Sequence, residues 1–161
     1  MLSFGMNWQE VCDSPQLRDL PFKIELNRFG QIVMSPASNE HGRLQTRIAA
    51  RLLDMMSGGE VITECSINTS DGTKVADVAW GSTTFFATRG LVTPLPAAPE
   101  ICVEIVSPSN SDAQMDAKAQ LYFEAGASEV WLCDSLGNLA FKTPAGARDS
   151  SAVAPSFPKH V

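Results

Sequence analysis

The sequence is short of positive charge. Its 12 lysines and arginines stand against 18 aspartates and glutamates, a formal net charge of −6. A domain that grips nucleic acid unaided is usually basic, because phosphate contacts supply much of the affinity. The deficit argues against tight DNA binding by this chain alone. It does not exclude a divalent-cation site, since clustered carboxylates make a chain acidic. Long apolar runs are missing as well. No window of about 18 apolar residues exists, so no membrane-spanning helix is expected. The opening MLSFGMNWQEVCDS lacks the basic-then-apolar order of a signal peptide, and a cytoplasmic location is the expectation. The four cysteines, Cys12, Cys65, Cys102 and Cys133, are too widely spaced for a Cys-x-x-Cys zinc pair. Cys102 and Cys133 lie in apolar runs and read as reduced core residues.

What is present fits one globular domain over residues 1–161, with 44% apolar and 19% charged residues. Residues 1–21 read as connector helices, one of them capped by Asn7. Phe22 to Asn27 and Gln31 to Met34 alternate apolar and polar around Arg28-Phe29-Gly30, a β-hairpin with one packed and one wet face. Ser38 caps a helix over Asn39 to Ser57, with a stripe of Leu44, Ile48, Leu52 and Met55 and with Ala49, Leu53 and Met56 beside it. Strands are expected over Glu60–Ile67, Val75–Trp80, Ile101–Val106, Glu129–Asp134 and Leu139–Lys142. Residues 82–98 read as a long loop, and 143–161 as an irregular tail. The strand, helix and strand from Ile101 to Asp134 have the lengths of a parallel crossover unit, which predicts an α/β domain with a mixed sheet and a helix on each side.

Three charged residues break these patterns. Glu104 sits inside Ile101-Cys102-Val103-Glu104-Ile105-Val106, where an ionised carboxylate costs several kcal/mol (on the order of the burial penalty for an unpaired ion) unless it is paired or holds a metal. Asp77 repeats the anomaly in Val75-Ala76-Asp77-Val78-Ala79-Trp80. Lys118 falls three residues after Met115 and four before Tyr122, so it shares the apolar face of the helix that follows the Glu104 strand. His41 heads the stripe of the first long helix. The residues alone leave two readings open for the acids and the lysine, an active site or a structural ion-pair cluster. For His41 the plain reading is a satisfied core-edge histidine.

The run Glu104-Ile105-Val106-Ser107-Pro108-Ser109, then Asp112, Asp116, Lys118, Tyr122, Gly126 and Val130-Trp131-Leu132-Cys133-Asp134, resembles the Uma2 family (DUF820) of restriction-endonuclease-like proteins. Asp77 in Val-Ala-Asp-Val-Ala and the Lys23-Ile24-Glu25-Leu26 hairpin before Met34-Ser35-Pro36 and His41 extend the likeness from about Phe22 to Lys142. The resemblance implies a restriction-endonuclease-like fold and a PD-(D/E)xK-type nuclease. It implies Asp77 and Glu104 as ligands of Mg2+ or Mn2+, Lys118 as the catalytic lysine and His41 at the edge of the site. Val106 stands where the parent motif has lysine, so that role passes to Lys118; Ala76 stands where the family has proline. The implied substrate is DNA, bound weakly by this domain alone, and the implied assembly is a homodimer. The rival reading keeps the fold as a catalytically weak module for protein binding or assembly.

Overall fold

The computed structural model describes residues 5–161. Short helix α1 (Trp8–Asp13) is capped by Asn7, which trades hydrogen bonds with Glu10 in a capping box. Strands β1 (Phe22–Leu26) and β2 (Ile32–Pro36) form a separate antiparallel hairpin. Helix α2 (Asn39–Met55) starts where the Ser38 side chain accepts the His41 N–H. Strands β3 (Glu60–Thr69) and β4 (Gly72–Gly81) are joined by a tight turn. Gly72 has φ +80, and a Cβ there would lie 2.4 Å from the Asn27 carbonyl oxygen. The glycine thus serves both the turn and the close seating of the β1–β2 hairpin against β4.

Helix α3 (Thr83–Arg89) lies in the stretch expected to be a loop. Its sequence, TTFFATR, is poor in strong helix formers. The turn is set instead by the Ser82 cap and by the edge-to-face packing of Phe85 on Phe86. Strand β5 (Ile101–Ile105) leads through helix α4 (Asp112–Glu124) to β6 (Glu129–Cys133), and β7 (Leu139–Thr143) and β8 (Gly146–Arg148) follow. The large sheet has the order β3-β4-β5-β6-β7-β8. Among the described strand pairs of this sheet, β5 and β6 alone run parallel, as a crossover through α4 requires. This is the expected α/β arrangement, a mixed sheet flanked by helices.

The two faces of the sheet carry two cores. Leu44, Ile48 and Leu52 of α2 pack on Val78, Val103, Ile105 and Trp131. Ala119 and Tyr122 of α4 pack on Ala76, Ala79, Cys102 and Val130. Leu53, placed beside the α2 stripe by its spacing, is 67% exposed, so that flank of the helix is wet. The stretch after Thr143, patternless in sequence, adds β8 and then folds Ala154, Phe157 and Val161 into the α2-side core. Buried Glu129 fastens it. Its carboxylate accepts hydrogen bonds from Trp131 Nε1, Ser151 Oγ and the Ala152 and Val153 N–H groups. Glu129 shows how this chain settles a buried acid by hydrogen bonding alone.

Candidate active site

Regular alternation fails at one place in the sheet. Ala76 and Ala79 face α4, whereas Val78 and Trp80 face α2, so the side-chain phase of β4 slips at Asp77. The neighbouring strand slips opposite it. Glu64 has φ +51, and the ladder pairs Thr63 with Val78 and Cys65 with Ala76 on either side of an unpaired Glu64 and Asp77. On the other flank the β4–β5 ladder stops at Val78 and Val103, one residue short of Asp77 and Glu104. Such local breaks re-aim side chains. Here the break lets Asp77 reach Lys23 of β1, His41 of α2 and the backbone of β5.

Asp77 is fully buried and Glu104 nearly so. Asp77 Oδ2 accepts the Ile105 N–H at 2.7 Å, replacing a ladder bond with a side-chain bond. Asp77 Oδ1 takes the Lys23 ammonium at 3.0 Å and lies 3.1 Å from His41 Nε2. Glu104 Oε2 takes the same Lys23 ammonium at 3.0 Å. Glu104 Oε1 accepts the Tyr122 hydroxyl at 2.6 Å and lies 2.9 Å from Lys118 Nζ. Lys118 turns inward from α4, as its helical position predicts, and reaches Glu25 Oε2 at 2.9 Å as well. Glu25 also accepts the Val75 N–H at 2.7 Å. No buried side-chain nitrogen or oxygen among the described residues lacks a hydrogen-bond partner.

The structure thus gathers Asp77, Glu104, Lys118 and His41 into one cluster, and adds two residues to which sequence reasoning gave no role, Lys23 and Glu25. Both lie on the polar face of β1, which was expected to be wet. The hairpin turns that face inward. Glu25 is buried, while Phe22 is 42% exposed and Met34 44%.

Charge sets the protonation of each group. For Asp77, burial favours the neutral acid, but the His41 hydrogen bond, the Lys23 charge and the Ile105 N–H prevail and hold its pKa below the ordinary aspartate value. For Glu104, burial wins. Its pKa is raised, with Asp77 and Glu25 pushing the same way against Lys118 and Lys23. Burial also opposes the charge on Lys23, yet Glu104, Asp77 and Glu25 raise its pKa above the ordinary lysine value. The Asp77 hydrogen bond raises His41 against the effect of its partial burial. Two carboxylates pushed apart in pKa beside fixed cations form the kind of environment that tunes acid–base chemistry.

The donor set suits a hard divalent cation, because Asp77 and Glu104 converge closely enough to share one cationic group, the Lys23 ammonium. A second candidate set shares Asp77 with the first. One ligand atom each from His41, Glu64 and Asp77 falls within 4.8 Å of the others. Gln45 holds the Glu64 carboxylate at 3.1 Å.

The chain and its fold have counterparts among known proteins. The profile of the Uma2 family, described as "Putative restriction endonuclease", matches residues 8–145. A solved structure described as a "putative nuclease belonging to DUF820" from Anabaena variabilis superposes with a TM-score of 0.70. It has 15% sequence identity, and the match covers 86% of each chain. No curated protein matches the chain.

Proposed function

This chain belongs to the Uma2 family, and we propose that it is a nuclease that hydrolyses DNA phosphodiester bonds with a divalent cation, Mg2+ or Mn2+, held by Asp77 and Glu104. The observation that carries the reading is the convergence of these two buried acids, from neighbouring strands, on one shared cation position beside Lys118.

A divalent ion at that position supplies Lewis acidity, polarising the phosphate and making water a stronger acid. The chain's own residues do the rest. The Ile105 N–H locks one oxygen of Asp77 and leaves the other directed into the site. Tyr122 fixes Glu104 by a short hydrogen bond from the α4 side. Lys118, tethered by Glu25, offers a fixed ammonium to the negative charge that grows on the phosphate, a preorganised electrostatic contribution. His41, half-buried and bonded to Asp77, offers a titratable ring nitrogen at the edge of the site for moving a proton.

A second reading has one observation in its favour. Lys23, Lys118 and His41 already match Glu25, Asp77 and Glu104 in number, so the cluster also satisfies the description of a structural ion-pair core in a non-catalytic module. Incubating supercoiled plasmid with the protein and Mg2+ or Mn2+, with and without chelator, separates the two. Nicking or linearisation that needs the metal and is lost in Glu104→Gln supports the nuclease. A folded protein that leaves DNA intact with both ions supports the module.

A further inference from the structure

Lys23 stands between the two acids. Its ammonium is 3.0 Å from Asp77 Oδ1 and 3.0 Å from Glu104 Oε2, and its side chain is only 11% exposed. The oxygen lone pairs directed at this ammonium are the ones a divalent ion needs. Two cations cannot share them, because like charges at such separations repel strongly where water is scarce. Lys118 is placed differently. It takes the other oxygen of Glu104 and shares its charge with Glu25, so it borders the pair without filling it.

We propose that Lys23 is an internal competitor for the metal: a divalent cation enters the Asp77–Glu104 pair only as the Lys23 ammonium withdraws, and this exchange sets the metal affinity of the site. The inference rests on the metal-dependent reading given above.

The hairpin is built in a way that permits the exchange. Its turn end is fastened to β4. The Val75 N–H donates to Glu25, Lys74 Nζ donates to the Leu26 carbonyl at 3.1 Å, and Arg28 pairs with Asp71. Lys23 belongs to the opposite end, next to Phe22 and close to Leu20, which are 42% and 38% exposed. The Lys23 side chain is itself 11% exposed, so it already touches water at the end away from the fastened turn. A lysine in water is charged at neutral pH, so withdrawal moves a cation and not a neutral amine. A withdrawn ammonium stays within a side-chain length of the acids, where a phosphodiester is the incoming group of matching charge.

The competition has a physical signature that activity does not share. Lys23→Met keeps the length and apolar stem of the side chain and removes the competitor. Titrating Mn2+ into the wild type and into Lys23→Met, followed by calorimetry or by the electron paramagnetic resonance of free Mn2+, is expected to show at least tenfold tighter binding by the variant. Mn2+ is also expected to raise the melting temperature of Lys23→Met more than that of the wild type, since ligand binding to the folded state stabilises in proportion to its affinity. Equal or weaker binding by the variant, with measurable binding by the wild type, overturns the competition and leaves the metal-dependent reading standing. Binding by neither protein overturns both.

Should Lys23→Met fail to fold without metal, the wild type provides the measurement. In protein labelled with 15N-lysine, the ion-paired Lys23 ammonium is expected to lose its protected resonance as Mg2+ saturates the site. A Lys23 resonance unchanged at saturating Mg2+ overturns the proposal.

Discussion

The Lys118 ammonium lies 2.9 Å from Glu104 Oε1, the same oxygen that receives the Tyr122 hydroxyl at 2.6 Å. Both donors come from one face of α4, so a single helix orients a single carboxylate with two groups. Lys118→Met removes the fixed charge and leaves Tyr122 in place. The expected outcome is a loss of roughly 2–4 kcal/mol of transition-state stabilisation in DNA cleavage, the size seen when one preorganised donor is removed. Metal affinity is expected to change only a few-fold. Single-turnover cleavage and a Mn2+ titration on the same preparation check both halves, and a variant that cleaves at the wild-type rate excludes Lys118 from the chemistry.

The two acids are expected to respond differently to neutralisation. The fold holds Asp77 ionised, with its pKa lowered, but pushes the pKa of Glu104 up. Asp77→Asn leaves His41 and Lys23 short of a buried partner and is expected to cost about 3–5 kcal/mol, the range for breaking a buried pair from one side. Glu104→Gln replaces a charge the fold disfavours with a neutral group of the same shape, and Lys23 and Lys118 each keep another carboxylate. Its cost is expected to be clearly smaller. Urea unfolding of both variants decides the order; a larger loss for Glu104→Gln would contradict this assignment of charge.

The pH dependence follows from the same shifts. His41 has its folded pKa raised above the ordinary value of 6.5 by Asp77. Its contribution to stability is therefore fully present below about 6.5 and is lost as pH rises through the higher folded pKa. Asp77 and Glu25 have lowered pKa values, so their contributions are present above the ordinary carboxylate range and are lost as pH falls. The sequence has only two histidines, His41 and His160, so a proton NMR titration of the metal-free protein reads His41 directly. A value above 6.5 that falls in Asp77→Asn is expected. A His41 that titrates at or below 6.5 in the wild type contradicts the bond to Asp77.

The chain's charge limits how it meets DNA. With a net charge of −6, affinity for a DNA duplex is expected to be weak, to fall with salt and to improve with divalent metal, which offsets repulsion between phosphate and carboxylates. Fluorescence anisotropy of a labelled duplex with Lys118→Met, across salt and with Ca2+ or chelator, measures this. Tight binding in chelator at physiological salt would contradict it.

The parts of this site that the sequence disclosed share one property: a charge in a place where the local pattern demands an apolar residue. Glu104 and Asp77 interrupt apolar strands, and Lys118 interrupts the buried stripe of α4. Lys23 and Glu25 broke no such pattern. An alternating hairpin strand is expected to show charges on its wet face, and only the tertiary seating of the hairpin, polar side inward, made them part of the cluster. Glu64 was hidden for a related reason, since its positive φ is a backbone property with no residue signature. The α4 crossover in a mixed sheet followed from element lengths and from the burial pattern of the strands. The segment from Ser151 to Val161 did not, because its core residues Ala154, Phe157 and Val161 are spaced as on a helix while Pro155 and Pro158 between them forbid one, so the local pattern contradicts itself.

The account stands or falls on where a divalent ion sits. A crystal of the wild-type protein soaked in Mn2+, with anomalous diffraction collected to locate the ion, tests it most directly. The account predicts one anomalous peak at inner-sphere distance, about 2 Å, from an oxygen of Asp77 and an oxygen of Glu104, with the Lys23 ammonium no longer between them. A peak bound by His41, Glu64 and Asp77 without Glu104, or no peak near Asp77 and Glu104 at saturating Mn2+, would contradict it.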